Sequence, residues 1–295
     1  TGSRALQKLI CRDPGTQWLA PWLGAMPMPA PPRETWEGNP ICQAVANGIE
    51  QIYQLVPEVR EVHPMLAGEA DECRFAMDAS FWGPDLAFTG PTTGQYAEWL
   101  TTVPPSYAYD YYRKVLALIS GGDKRQWILK DPTTHPFALR TMLETFPDAR
   151  IVYTHRDPVS AMSSASDMMY WVRRWRIKGL TQEQNGRDQL AFFAPAADQL
   201  GQVLSDFDPA RIVHVHMKEL HVDPIATAEK IYRHFDVAVT DAARQAWHHL
   251  AETDPRSGHG IHHHKAVDCG FSATDVQAAM PVYWAAYQKR YGTAG

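Results

Sequence analysis

Apolar residues follow two rhythms along this chain. Short β-favouring runs occur at 127–129, 151–153 and 211–215, and the first two run into polar clusters. Between those two, Phe137, Leu139, Met142, Leu143 and Phe146 fall on one side of a helix. A strand, a helix and a second strand in that order predict a βαβ unit, with parallel strands and a crossover helix. Residues 5–11, 41–55 and 107–119 also carry apolar faces at helical spacing, and a long last helix is predicted over 273–291. Pro27, Pro29, Pro31 and Pro32 mark an extended connection, and Pro104-Pro105 a second break. The pattern predicts an α/β fold: a central parallel sheet with strands near 126–130, 151–154 and 211–215, helices on both faces, and a mostly helical insertion over 16–125. Residues 1–295 read as one domain.

The polar clusters sit where such a sheet binds ligands, beyond the carboxyl ends of its strands. The first strand delivers Lys130, Asp131 and His135; the second delivers His155, Arg156 and Asp157. Ser164 lies eight residues after Arg156, two turns into the next helix, and Pro158 suits the first turn of that helix. A guanidinium at a strand end and a hydroxyl on the following helix can converge on one phosphate.

This Arg156–Ser164 spacing resembles the 3′-phosphate element of sulfotransferases that use 3′-phosphoadenosine 5′-phosphosulfate (PAPS). The opening TGSRALQKLICRDPG is similar to the end of that family's 5′-phosphosulfate loop and the helix after it, with Arg4 where Thr or Ser is usual. A Gly-containing loop at a helix start offers N–H groups and the positive dipole end to an anion. The resemblance implies that the sequence begins inside this motif, with a strand and a loop Lys or Arg preceding Thr1. PWLGAMPMPAPPRETW, EVHPMLAGEADECRFAM, YAYDYYRKVLALI and RIVHVHMKELHVDPIATAEKIYRHFDV extend the similarity to the bacterial branch with a long helical insertion. The family's Tyr-Glu-Asp-Leu turn is here Met217-Lys218-Glu219-Leu220.

What the resemblance implies is specific. The fold is a P-loop-like three-layer fold. The reaction moves a sulfuryl group from PAPS to a hydroxyl, less readily an amine, of a small acceptor, and requires no metal. Thr1, Gly2, Ser3, Arg4, Arg156 and Ser164 hold the nucleotide, and Arg256 and Gly258 belong to a cationic late loop over the 3′-phosphate. Lys130 stabilises the leaving group and His135 is the base, with His63, Asp71 and Glu72 in reserve. His262, His263 and His264 extend the same cationic loop rather than hold a metal.

Composition narrows the partners. A net charge of −5 argues against a general nucleic-acid binder. Charged residues interrupt every apolar run before the roughly 18 residues a membrane span needs. Cys11, Cys42, Cys73 and Cys269 show no CxxC pair and read as buried free thiols, as in a cytoplasmic enzyme. Aromatic residues crowd 82–112 and 170–175; most suit the core, and some suit the wall of a partly apolar acceptor pocket. Two other readings stay open. A P-loop kinase shares the loop physics but needs a Gly-Lys-Ser/Thr ending, whereas Gly2 is followed by Ser3 and Arg4. A non-catalytic domain would keep the fold and lose the donor site.

Overall fold

The computed structural model describes residues 2–90, 95–253 and 266–292. Thr1, Arg256, Gly258, His262, His263 and His264 lie outside the described residues. Four strands form: β1 (Thr16–Trp18), β2 (Gln126–Ile128), β3 (Ile151–His155) and β4 (Ile212–His216). All pairing is parallel. β1 pairs with β2, Thr16 opposite Gln126, and β3 pairs with β4, Ile151 opposite Ile212. The three expected strands are present. They do not make one continuous sheet: among the described residues the ladders are two separate pairs.

The two ladders nevertheless share the same layers. Successive strand residues point to opposite faces. Trp127, Leu129, Ile151, Tyr153 and Ile212 pack on one core with Leu19, Trp22, Tyr109, Tyr112 and Leu139. Ile128, Val152, Val213 and Val215 pack on another with Leu6, Leu9, Ile231 and Trp247. Helix α1 (Ser3–Ile10) and the helices Pro224–His234 and Asp241–Thr253 cover this second face. The helices Ser106–Ser120 and Leu139–Thr145 cover the first. The result is the expected three-layer α/β arrangement.

Two elements differ from the sequence expectation. β1 was not foreseen, because Thr16, Gln17 and Trp18 are all buried and show no alternation. It lies inside the 16–125 stretch, so helices resume only at Pro21. The expected last helix is broken. Ala273–Ala279 ends at Met280, and a second helix, Pro281–Tyr291, starts with proline at its first position. Proline there costs nothing to the new helix but cannot continue the old one.

The middle helices form for local reasons. The Asn39 side chain accepts from the N–H groups of Ile41 and Cys42, and Pro40 opens the helix Pro40–Leu55. Trp22, Trp82, Tyr109 and Tyr112 are almost fully buried, so most of the aromatic cluster is core. All four cysteines are buried and free. No described helix is long and apolar enough to cross a membrane.

The helices Pro158–Arg173 and Gln182–Ser205 are locked together by a buried guanidinium. Arg173 donates to Asn185 Oδ1 (2.9 Å), Asp188 Oδ2 (2.9 Å) and Gly90 O (3.2 Å). Gly186, in the same helix as Asn185 and Asp188, lets another backbone approach. A Cβ built there would lie 1.8 Å from Cys269 O, which no side-chain rotation relieves. Gly186→Ala should therefore force helix and turn apart and cost about 1–3 kcal/mol of stability, the range for overpacking a filled core. Urea unfolding at neutral pH measures it; an unchanged midpoint would show the contact is looser than described.

Candidate active site

A cavity of about 2020 Å³ opens at the carboxyl ends of the strands. Gly2, Ser3, Arg4, Lys130, His135, Arg156 and Ser164 all line it, so every described residue of the expected site reaches one space. His63 and Glu72 line it too.

Two helix starts build one side of the cavity. Gly2 caps α1 in the left-handed region, φ 80°. A Cβ on Gly2 would lie 3.1 Å from Met217 Cγ and 3.3 Å from Leu220 Cδ2, so both backbone and packing favour glycine. Leu6 N donates to Gly2 O (3.1 Å), the bond that opens the helix at its glycine cap. Across the cavity, Arg156 leaves β3, and the Asp157 side chain caps the next helix by accepting from Ser160 N (2.8 Å). Ser164 follows on that helix. Arg156 is half-buried; burial lowers its pKa, and Asp157 opposes the shift. Among the described residues Arg156 forms no ion pair within 4 Å, and its guanidinium is partly desolvated.

The cations nearer α1 are held differently. Lys130 Nζ lies 2.9 Å from Glu72 Oε1, with both side chains nearly buried. Glu72 Oε2 lies 3.5 Å from Arg74 Nε. Burial raises the Glu72 pKa, but Lys130, His63 and Arg74 lower it more, so it stays ionised. Arg4 turns toward the insertion. It lies 3.3 Å from Asp71 Oδ1 and 2.8 Å from His63 Nε2, and it donates to Pro64 O. Backbone bonds fix this segment: Asp71 N donates to Leu19 O (3.1 Å), and Cys73 N to Lys130 O (3.0 Å). The three reserve bases are thus engaged as partners of cations. His63, Asp71 and Glu72 offer ligand atoms within 4.8 Å of one another. Arg4, Lys130 and Arg74 already balance that cluster, and a metal ion there would be repelled.

His135 has a different setting. Asp131 Oδ1 accepts from Thr133 N (3.0 Å), Thr133 Oγ1 (2.9 Å) and Thr134 N (2.8 Å), a tight turn that sets where the next residue points. His135 Nδ1 then lies 2.9 Å from Tyr109 OH. Burial lowers the His135 pKa, opposed by Asp131. The sequence reading did not single out Arg74, Asp78 or Asp85, which also line the cavity. Burial, with Asp85 next, raises the Asp78 pKa to about 6. Their only sequence signal is charge inside an aromatic-rich stretch.

Several histidines are held neutral. Burial, then Arg4, lowers His63 to about 3. Burial, then His214, lowers His155 to about 3; burial, then Arg290, lowers His214 to about 4. The folded protein refuses protons that the unfolded chain binds below the ordinary histidine value of 6.5. Stability therefore falls as pH drops through the window from about 6.5 toward 3, where the unfolded state holds more protons. Melting temperatures measured between about pH 7 and pH 4 should fall with pH. His155→Gln should flatten that fall; an unaltered slope would place the acid sensitivity elsewhere.

The chain is similar to several known proteins. Over 110 residues, 36% of this chain, it is 29% identical to the omega-hydroxy-beta-dihydromenaquinone-9 sulfotransferase Stf3 of Mycobacterium bovis and of Mycobacterium tuberculosis. That match spans 28% of those relatives' length. The crystal structure of sulfotransferase STF1 from M. tuberculosis superimposes with a TM-score of 0.81 and 30% identity, covering 95% of this chain and 73% of that one. Sulfotransferase STF9 from Mycobacterium avium has the same fold, with a TM-score of 0.81 and 23% identity over 98% of this chain and 74% of that one. The sequence profile of the sulfotransferase family matches residues 14–241, most of the chain and every strand described above, and on that match this chain belongs to the sulfotransferase family.

Proposed function

We propose that this chain transfers a sulfuryl group from PAPS to a hydroxyl of a small, partly apolar acceptor. The observation that carries the reading is the convergence of the α1 start, Lys130, Arg156 and Ser164 on one cavity. In this reading Arg156 and Ser164 hold the 3′-phosphate by charge-assisted and neutral hydrogen bonds. The first-turn N–H groups at Gly2 and Ser3 receive the 5′-phosphosulfate. The bond between sulfur and the bridging phosphate oxygen breaks as a bond from sulfur to the acceptor oxygen forms. Negative charge grows on the departing bisphosphate, where Lys130 stabilises it. Glu72 fixes the lysine's position without removing its charge.

The acceptor proton goes to His135. Its Nδ1 is engaged by Tyr109, which leaves Nε2 to take the proton; burial keeps the ring neutral, and Asp131 favours the protonated form. His63 and Glu72 suit that role less, because cations occupy their lone pairs. The acceptor side of the cavity is apolar: Ile52, Val56, Val59, Met168, Trp171 and Val172 line it. Stf3 is named for a hydroxylated menaquinone derivative, and a hydroxyl on a greasy carrier is what such a wall suits. The buried free thiols fit a reducing cytoplasm. A kinase reading is disfavoured, since no lysine follows Gly2 and Ser3.

Arg156→Ala should weaken binding of 3′-phosphoadenosine 5′-phosphate at least about tenfold, since a lost charge-assisted bond costs about 1.5–3 kcal/mol. Titration calorimetry on the folded variant measures it, and undiminished affinity would overturn the donor assignment. His135→Ala should lower turnover with a labelled sulfate donor by about 10²–10⁴ while nucleotide affinity barely changes. Lys130→Ala should reduce both. Near-normal turnover in His135→Ala would move the base to His63 or to the Asp71–Glu72 pair.

A further inference from the structure

Four exposed large apolar side chains meet at the mouth of the cavity. Ile52, Leu55, Leu86 and Trp175 all line it, and Leu55 is 72% and Trp175 53% exposed. They come from three places: the end of the helix Pro40–Leu55, the helix Pro84–Thr89, and the turn after the helix Pro158–Arg173. Contacts between these elements hold the four around one rim. Tyr53, Val56, Val59 and Met65 form a buried cluster against Trp171 and Val172. Arg176 donates to Thr89 Oγ1 (3.1 Å), and Arg174 lies 3.9 Å from Glu58. Buried Val56 and Val59 and half-buried Trp171 and Val172 continue the apolar surface from the rim into the cavity. Single exposed apolar residues are ordinary, but a rim continuous with an apolar wall marks a contact surface.

The charge at this rim differs from that of the chain. Residues 170–181, YWVRRWRIKGLT, hold four cations and no carboxylate, although the net charge of the whole chain is −5. Arg173 is buried, whereas Arg174, Trp175, Arg176 and Lys178 are exposed. The Arg174 guanidinium lies 4.8 Å from the centre of the Trp171 ring, and that of Arg176 4.7 Å from the centre of the Trp175 ring. Each of these cations therefore rests on aromatic surface. The acids nearby are mostly matched. Glu50 pairs with Arg60 (2.6 Å) and Glu58 faces Arg174, while Glu61 lies on the same helix as Glu58. Among the described residues, Arg176 and Lys178 form no ion pair.

We propose that this rim docks on an anionic lipid surface. Leu55 and Trp175 enter the headgroup layer, Arg174, Arg176 and Lys178 meet its phosphates, and the cavity mouth opens toward the apolar layer beneath. Tryptophan suits that depth, with an apolar body and a polar N–H. Arginine and lysine lay their stems on apolar surface and keep their charges among the headgroups. Such docking needs no membrane-crossing helix. A second copy of the chain fits the rim poorly, because its own Arg174, Arg176 and Lys178 would meet like charge. A folded partner would seal the mouth, whereas lipid covers it and still admits an apolar solute. Entry of the acceptor from the bilayer rests on the sulfuryl-transfer reading; the docking itself requires neither nucleotide nor acceptor.

Sedimentation with sucrose-loaded vesicles tests the docking, using phosphatidylcholine alone and equal parts of phosphatidylcholine and phosphatidylglycerol. The 295-residue chain should bind the mixed vesicles at least about tenfold more tightly than the neutral ones, since each cation near an anionic surface raises affinity about fivefold. Added salt should weaken that binding. Arg176→Glu combined with Lys178→Glu should lower binding to the mixed vesicles by about tenfold or more, and so should Leu55→Ser combined with Trp175→Ala. Lys289→Glu, on the helix Pro281–Tyr291, should not. Thermal melting checks that each variant is folded. No binding to the mixed vesicles would overturn the proposal, as would binding untouched by either rim pair or an equal loss in Lys289→Glu. Self-association without vesicles that the rim variants abolish would assign the rim to a second copy and overturn the lipid surface. Titration with 3′-phosphoadenosine 5′-phosphate reads the donor site separately, so the docking and the donor assignment can fail independently.

Discussion

The ion pair between Lys130 and Glu72 organises this end of the molecule. A lysine at a strand's carboxyl end, nearly buried, is costly without a counter-charge. Glu72 supplies that charge from a segment fifty-eight positions earlier, 2.9 Å away. The pair works because the backbone brings the two together first. Asp71 N and Cys73 N bond to carbonyls just beyond β1 and β2, so the acidic pair lies across the ends of that ladder. Arg4 then finds Asp71 and His63, and Arg74 closes the other side. Three positive side chains and two carboxylates thus fix the floor of the cavity. Breaking the pair would leave a charge buried without its partner, which costs far more than an exposed contact.

Against that balanced floor, Arg156 stands out. It has lost part of its hydration, and the neighbouring Asp157 offsets only part of that cost. Its setting follows from one short stretch: β3 ends, Asp157 caps the next helix, and Ser164 is carried two turns along it. The two sides of the site are thereby built by different physics. The α1 side rests on a glycine in the left-handed region packed against Met217 and Leu220. The β3 side relies on a side chain and a hydroxyl at helical spacing.

The helical insertion serves the site by packing. Its tryptophans and tyrosines make the core under β1 and β2, and Tyr109 reaches from that core to His135. The remaining apolar wall comes from Pro40–Leu55, Pro57–Val62 and the far half of Pro158–Arg173.

Much of this was legible in the chain. The alternation of short β-favouring runs with helical spacing determined three strands, the α/β class and the carboxyl-end placement of Lys130, His135 and Arg156. The placement of Arg156 and Ser164 along one cavity was legible because its geometry is local: a strand end, a cap and two turns of helix. β1 was illegible, since three residues buried on both faces show no alternation. The roles of His63, Asp71 and Glu72 were also out of reach. As sequence they are three titratable groups of equal promise, and only the fold brings them against Arg4, Lys130 and Arg74, where they become counter-charges rather than bases. The contact between His135 and Tyr109, a residue from another helix, was likewise beyond reach of the sequence. The split of the sheet into two ladders belongs wholly to tertiary structure, because pairing depends on which backbone edges meet in space, and side-chain pattern along one strand does not encode its neighbour.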